Sequence, residues 1–286
     1  MPHPDLVLRT AIGNYDHTRA LKDGTVHSGR LQLAHVEISP IHRAFRPMVN
    51  DLAFDLSEMA IVTYILAKAS GRRLVGLPIV LMRNSPHAAI TCSVRSGIRG
   101  PQDLAGRTIG VRAYTQTTGL WVRGVLQEQF GVKLDTLRWL TLEGSHVDGY
   151  RDPSNVIRAD TGKSLVEMLL AGEIDAAVGI DTAGHPDLRP LIPDAERAEA
   201  EWSQRTGVHP INHIVVVKEA IAAAHPWVTG ELFQLFEAAK QRAASNARPA
   251  FGLEPNRAAI EAVARYAFDQ HITPRRLTAR ELFAAP

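Results

Sequence analysis

Two long extended stretches, residues 88–98 within "HAAITCSVRSGI" and 208–217 in "GVHPINHIVVV", bracket a middle region with its own alternation of apolar runs and helical patterns. A chain that leaves one α/β unit and returns to it by a second crossover forms a discontinuous first lobe and an inserted second lobe. The expected lobes are residues 1–92 plus 208–286, and residues 93–207. In the first, "LVLRTAI", "RLQLAHVEI" and "LVGLPIVLM" read as strands and "PIHRAFRPMVND" as a helix. "LAFDLSEMAIVTYILAKASG" reads as a strand running into a helix near Ser57. In the second, "TIGVR", "LRWLTL" and "DAAVGI" read as strands. "PQDLAGR" reads as a single helical turn, and "AYTQTTGLWVRGVLQEQFG" and "SLVEMLLAGEI" as helices. A polar, proline-bearing stretch follows over 183–207, and the chain from "PWVTGELFQLF" to "ARELFAAP" reads as helical. The fold class is α/β and two-lobed, with the ligand expected in the inter-lobe cleft.

Composition narrows the function. Of 286 residues, 45% are hydrophobic and 22% charged, with a net charge of +2. No run of five basic residues occurs, so a nucleic-acid surface is not expected. Apolar runs such as "MAIVTYILAKA" fall short of the ~18 residues that a membrane span needs. The single Cys92 excludes an internal disulfide and offers no zinc cluster. The start "MPHPDLVLRTAIGNYDHTR" has no secretory pattern, which places the chain in the cytoplasm as an expectation.

One rule, a strand's carboxyl end followed by a helix start, nominates the residues facing the cleft. Asp16, His17 and Arg19 follow the first strand, with Asp16 as the expected helix cap. Ser57 and Glu58 stand at the end of "LAFD", and Arg83 and His87 follow "LPIVLM". Arg112, Tyr114, Thr117 and Thr118 lie between "TIGV" and the helix containing Trp121. Asp181 follows "DAAVGI", and His209 and His213 open the returning crossover. "VRAYTQTTGLW" is the expected anion site, a helix N-terminus with threonine hydroxyls and Arg112 beside it. Each feature has a plainer reading. The threonines could only cap the helix, the first cluster could be a solvated loop, and Glu58 could only complement a helix dipole. His209 and His213 have a metal-like spacing but no carboxylate nearby in sequence, so no metal site is assigned.

At these residues the chain resembles the 4,5-dihydroxyphthalate decarboxylase family, which shares the type II periplasmic-binding-protein fold. The stretches that carry the resemblance are "YDHTRAL", "FDLSEMA", "DLAGRTIGV", "TGLWVRGVL", "GVHPINHIVVV" and "HPWV", in order from residue 15 to 228. Proteins of that fold generally share "DLAG..IGV". The Asp-His-Thr-Arg, Ser-Glu-Met and His-Pro-Ile-x-His pieces together are particular to the family. Where the family usually carries an Arg-rich "FRH" segment, this chain reads "LMRNSPHAAI".

The resemblance implies non-oxidative decarboxylation of a hydroxylated aromatic mono- or dicarboxylate, which needs no redox cofactor. Such a site calls for cationic clamps, an acceptor for the phenol and a positioned acid. Arg19, Arg83 and Arg112 are the expected clamps, and His17 and His213 the proton-transfer candidates. Glu58 or Asp16 would orient a histidine or accept the phenolic proton, with the remaining residues named above lining the substrate. The expected partner is a small aromatic carboxylate, and a homo-oligomer is left open. The competing class is a solute-binding protein or cytoplasmic sensor, which would use the same clamps without chemistry.

Overall fold

The computed structural model describes residues 5–160, 162–182, 184–244 and 249–283. The chain divides into two compact units. One comprises Met1–Arg83, Ile211–Ala264 and Arg275–Pro286; the other comprises Asn84–Pro210 and Arg265–Pro274.

The first unit starts with β1 (Leu6–Ala11), α1 (Arg19–Lys22), β2 (Leu31–His35), α2 (Phe45–Asp51), β3 (Leu56–Ala60), α3 (Ile61–Ala69) and β4 (Leu74–Met82). Central β1 pairs in parallel with β2 on one side and β3 on the other. β3 is buried at all five positions, and Ile61–Ala67 of α3 are buried on every face. The structure corrects the sequence reading here, because Ser57 and Glu58 lie inside the strand rather than at the start of a helix. The apolar run of β4 forms one edge of the sheet, where Pro78 costs no ladder hydrogen bond.

The second unit carries β5 (Ile90–Ser93), β6 (Thr108–Val111), α4 (Thr117–Glu128), β7 (Arg138–Thr141), β8 (Val156–Arg158), α5 (Leu165–Leu170), β9 (Ala176–Val178), β10 (Leu188–Pro190) and α6 (Ala195–Thr206). Its sheet runs β10-β5-β9-β6-β7-β8, with β9, β6, β7 and β8 parallel. The Ser164 hydroxyl and the Glu167 carboxylate form a reciprocal cap that starts α5. Leu165, Met168 and Leu169 then pack with Ile174, Ala177 and Leu188.

Three expectations change. Of the extended stretch 88–98 only Ile90–Ser93 is strand, and Val94–Ser96 turn as a 3-10 helix. The polar stretch 183–207 contains both β10 and α6; Ala183 itself lies outside the described residues. Residues 84–92, 208–210 and 265–274, expected in the first lobe, belong to the second unit, the first of them because β5 pairs with β9 and β10.

The chain returns through β11 (His213–Lys218), which inserts between β3 and β4, antiparallel to both, and completes the order β2-β1-β3-β11-β4. Among the described residues the helices α7 (Glu219–Ala224), α8 (Val228–Gln241), α9 (Arg257–Asp269) and α10 (Ala279–Leu282) follow. Residues 284–286, where the helical reading ended, lie outside the described residues.

Candidate active site

The register of β11 against β3 builds the site. His213 pairs with Ala60 and Val215 with Glu58, so Glu58 and His213 are diagonal neighbours on one face of the sheet. Glu58 is fully buried, a position that a carboxylate occupies only when its oxygens are satisfied. Three donors satisfy it. His213 Nδ1 lies 2.6 Å and the Tyr15 hydroxyl 2.6 Å from Oε1, and the Gly13 backbone N–H lies 2.8 Å from Oε2. A carboxylate with three donors accepts from each, so the Nδ1 of His213 carries a hydrogen and Nε2 lies outside this contact. Phe45 meets the His213 ring edge to face at 5.1 Å and fixes its plane.

Gly13 permits this approach. A Cβ there would come within 2.7 Å of the Tyr15 ring and 3.0 Å of Glu58 Oε2. Thr18 locks the loop, donating to the Gly13 carbonyl at 2.9 Å and accepting from the Tyr15 N–H at 3.0 Å. Burial and the neighbouring Glu58 push the Tyr15 phenol far above its ordinary range, so it acts as a donor and not as an anion. Tyr15 also stacks on His17. Burial lowers the pKa of His17 despite a hydrogen bond to the Leu81 backbone and the nearby charge of Glu58. Its Nε2 is buried with no hydrogen-bond partner.

Of the residues expected to work together, the structure gathers Glu58, His213 and His17 around Tyr15. Sequence reasoning missed Tyr15, although it opens the stretch that carries the resemblance. Ser57 is buried beneath this cluster and donates to the Glu58 carbonyl at 2.8 Å. Asp16 does not cap the first helical turn, where Tyr15 holds the N-cap position. It lies 3.5 Å from Arg19, whose side chain is 73% exposed. Arg83 donates to Asn256 and ties down the loop before α9.

The others lie in the second unit. His87 is fully buried, with Nε2 2.7 Å from Gln129 and its ring against Trp202, so it is an interior residue of that unit. Arg112 pairs with Glu143 at 2.9 Å. The Tyr114 hydroxyl donates to the Gln270 carbonyl at 3.2 Å. Thr117 is buried and Thr118 half-buried in the first turn of α4, and Asp181 and His209 are exposed. Among the described residues, no group of three or more His, Cys, Asp or Glu side chains is placed to hold a metal ion. No described helix is long and apolar enough to cross a membrane.

No family model matches the chain. It is 31% identical over 254 residues to a 4,5-dihydroxyphthalate decarboxylase of Comamonas testosteroni, spanning 82% of this chain and 75% of that protein. It is 30% identical over 216 residues to the protein of the same name from Pseudomonas putida, spanning 69% of this chain and 81% of that one. Among solved structures, the periplasmic aliphatic sulphonate binding protein SsuA of Escherichia coli superimposes with a TM-score of 0.62 at 15% identity. That match covers 99% of this chain and 93% of SsuA. The two α/β units and the antiparallel β11 therefore form a type II periplasmic-binding-protein fold.

Proposed function

Because the chain belongs to the 4,5-dihydroxyphthalate decarboxylase family, we propose that it is a carboxy-lyase releasing CO2 from a hydroxylated aromatic dicarboxylate of that type. The observation that carries the proposal is the buried Glu58 shared by His213, Tyr15 and the Gly13 N–H. A binding protein that holds an anion has no use for a buried carboxylate aligning an imidazole. An acid–base catalyst does.

The chemistry follows from the arrangement. With both ring nitrogens protonated, His213 delivers the Nε2 proton to the ring carbon bearing the carboxylate and becomes the neutral Nδ1–H tautomer, while a ring hydroxyl para to that carbon donates electron density. The bond between ring and carboxylate then breaks, its electron pair restores the aromatic ring, and CO2 leaves. Water returns the proton to Nε2. Throughout, the Nδ1–H stays on Glu58, which fixes the tautomer and the plane of the imidazole. Tyr15 and Gly13 keep the carboxylate in place, so they are positioning groups.

The test is CO2 release from 4,5-dihydroxyphthalate and from a panel of hydroxylated benzoates. The wild type is expected to turn over at least one of them, and Glu58→Gln to lose roughly 10²–10⁴-fold in kcat. Binding of these acids by the wild type without CO2 release would overturn the enzyme reading in favour of a binding protein.

A further inference from the structure

The second unit holds a buried cation that the proposed acid–base chemistry does not use. Arg123, in the second turn of α4, is fully buried. Its guanidinium folds back toward the start of the helix. Nε donates to Gln270 Oε1 at 2.6 Å and Nη2 to the Tyr114 carbonyl at 2.7 Å, and the group lies 4.0 Å over the Tyr114 ring. All these partners are neutral. Among the described residues no carboxylate comes within ion-pairing distance of Arg123, and its Nη1 has no hydrogen-bond partner. A guanidinium does not deprotonate inside a protein, so its charge is buried without a counter-charge in contact. Such an arrangement is costly to the fold and persists where an anion completes it.

Other buried polar atoms without partners gather on the same side of the sheet. Val111 and Thr141 are paired residues at the carboxyl ends of β6 and β7. A Cβ on Gly119 would stand 3.0 Å from Val111 and 3.3 Å from Arg123 Nη1, so Nη1 sits just beyond these strand ends. The Thr141 hydroxyl is buried and unpartnered there. Gln116, at the N-cap of α4, makes no side-chain cap; its Oε1 is buried and unpartnered beside Gly179, which follows β9. The loop leaving β7 adds the Tyr150 hydroxyl and Asp152 Oδ1, both buried and unpartnered. Tyr150 and Asp152 are within electrostatic range of Arg123, and the other oxygen of Asp152 accepts from Arg158 at 3.1 Å. Carboxyl ends of parallel strands facing a helix N-terminus are where this kind of sheet binds ligands.

We propose that Arg123 and Tyr150 form a carboxylate subsite of the second unit, with Arg123 Nη1 and the Tyr150 hydroxyl donating to one carboxylate of an aromatic acid. The sequence had pointed to Arg112 for this role, but that side chain is already paired with Glu143. Asp152 stands as the acceptor next to them, matched to a ring hydroxyl of the same ligand. The proposal rests on the decarboxylase reading for the class of its ligand, an aromatic acid.

Phthalate tests the subsite apart from the chemistry, because it carries both carboxylates but no ring hydroxyl. Calorimetric titration of the wild type is expected to show binding. Arg123→Gln is expected to weaken it about 10- to 100-fold, the range for a charge-assisted contact, and Tyr150→Phe about 5-fold. Tyr150→Phe removes a single oxygen, so it decides the matter should Arg123→Gln fail to fold. Unchanged phthalate affinity in a folded Arg123→Gln or in Tyr150→Phe overturns the subsite, as does absence of phthalate binding by the wild type. CO2 release from 4,5-dihydroxyphthalate, run in parallel, separates the two claims. Turnover with unaltered affinity in the variants removes the subsite alone, and variant-sensitive binding without turnover removes the decarboxylase alone.

Discussion

The ring of Tyr15 lies face to face with that of His17, 5.2 Å between centroids and 6° from parallel, while its hydroxyl reaches Glu58 at 2.6 Å. One side chain thus supports a histidine with its face and a carboxylate with its edge. The two histidines of the site are consequently unequal. His213 is aligned by the Glu58 carboxylate, whereas His17 is held by stacking and has its pKa lowered by burial.

Their substitutions should separate accordingly. His213→Asn is expected to lower kcat by roughly 10²–10⁴-fold, the usual contribution of a general acid. His17→Asn is expected to cost less than about tenfold, since it removes packing and not the aligned proton donor. Steady-state kinetics of both variants on the same substrate ranks them. Equal losses would make His17 a participant in the proton transfer.

Tyr15→Phe keeps the stacked ring and deletes only the hydroxyl. Glu58 retains two of its three donors, so the expected loss is only about 5-fold in kcat, with KM little changed. A rise in KM with kcat intact would instead place the phenol against the substrate.

Stability should depend on pH through three histidines. His17, His35 and His87 are each held below the ordinary value of 6.5, with burial the first cause in all three. Between those lowered values and about 6.5 the unfolded chain binds more protons than the folded one. Their contribution is therefore complete above about pH 6.5 and is lost as the pH falls through the folded values. Thermal unfolding between about pH 7.5 and about pH 5.5 should show a declining Tm. His87→Gln should flatten that slope, and an unchanged slope would remove His87 from the account.

Gly124→Ala should destabilise the second unit. A Cβ there would run into the ring of Tyr266, a buried side chain that also lies edge to face with Trp121. Forcing a methyl into that contact costs about 1–3 kcal/mol, read as a lower Tm by calorimetry. An unaltered Tm would mean that the ring swings aside freely.

Local chemistry made much of the fold legible and left specific parts hidden. β4 is visible because Leu74–Met82 is one unbroken apolar run. β3 was cut short because Ser57 and Glu58 look like surface residues, and only their partners on β11 and in the Gly13 loop make them fit an interior. α6 escaped notice because Trp202 is its single buried residue, so no apolar stripe marks it. Three-residue β8 is an outer strand with two of its residues exposed. At the site, residue types near strand ends were enough to nominate His17, Glu58 and His213. The bond between Glu58 and His213 spans 155 positions and depends on register, which no local pattern carries. Arg123 was hidden for another reason: it stands inside a helix rather than between a strand end and a helix start, and only its folded-back guanidinium brings it to the helix N-terminus.

The placement of β11 between β3 and β4 has a consequence for how the protein is made. Both of its neighbours leave the ribosome before residue 84, yet the strand that joins them comes only after residue 210. At 5–20 residues per second, roughly 6–25 s of synthesis separates the two events. During that interval the nascent chain carries an unfilled sheet with two bare strand edges, and Glu58 has yet to meet the imidazole that will answer its charge. Residues 84–210 of the second unit are made in that interval, and its Arg265–Pro274 segment only after β11. The Glu58–His213 pair is then assembled by the strand that closes the earlier half of the molecule, so a nascent chain stalled inside the insertion lacks it.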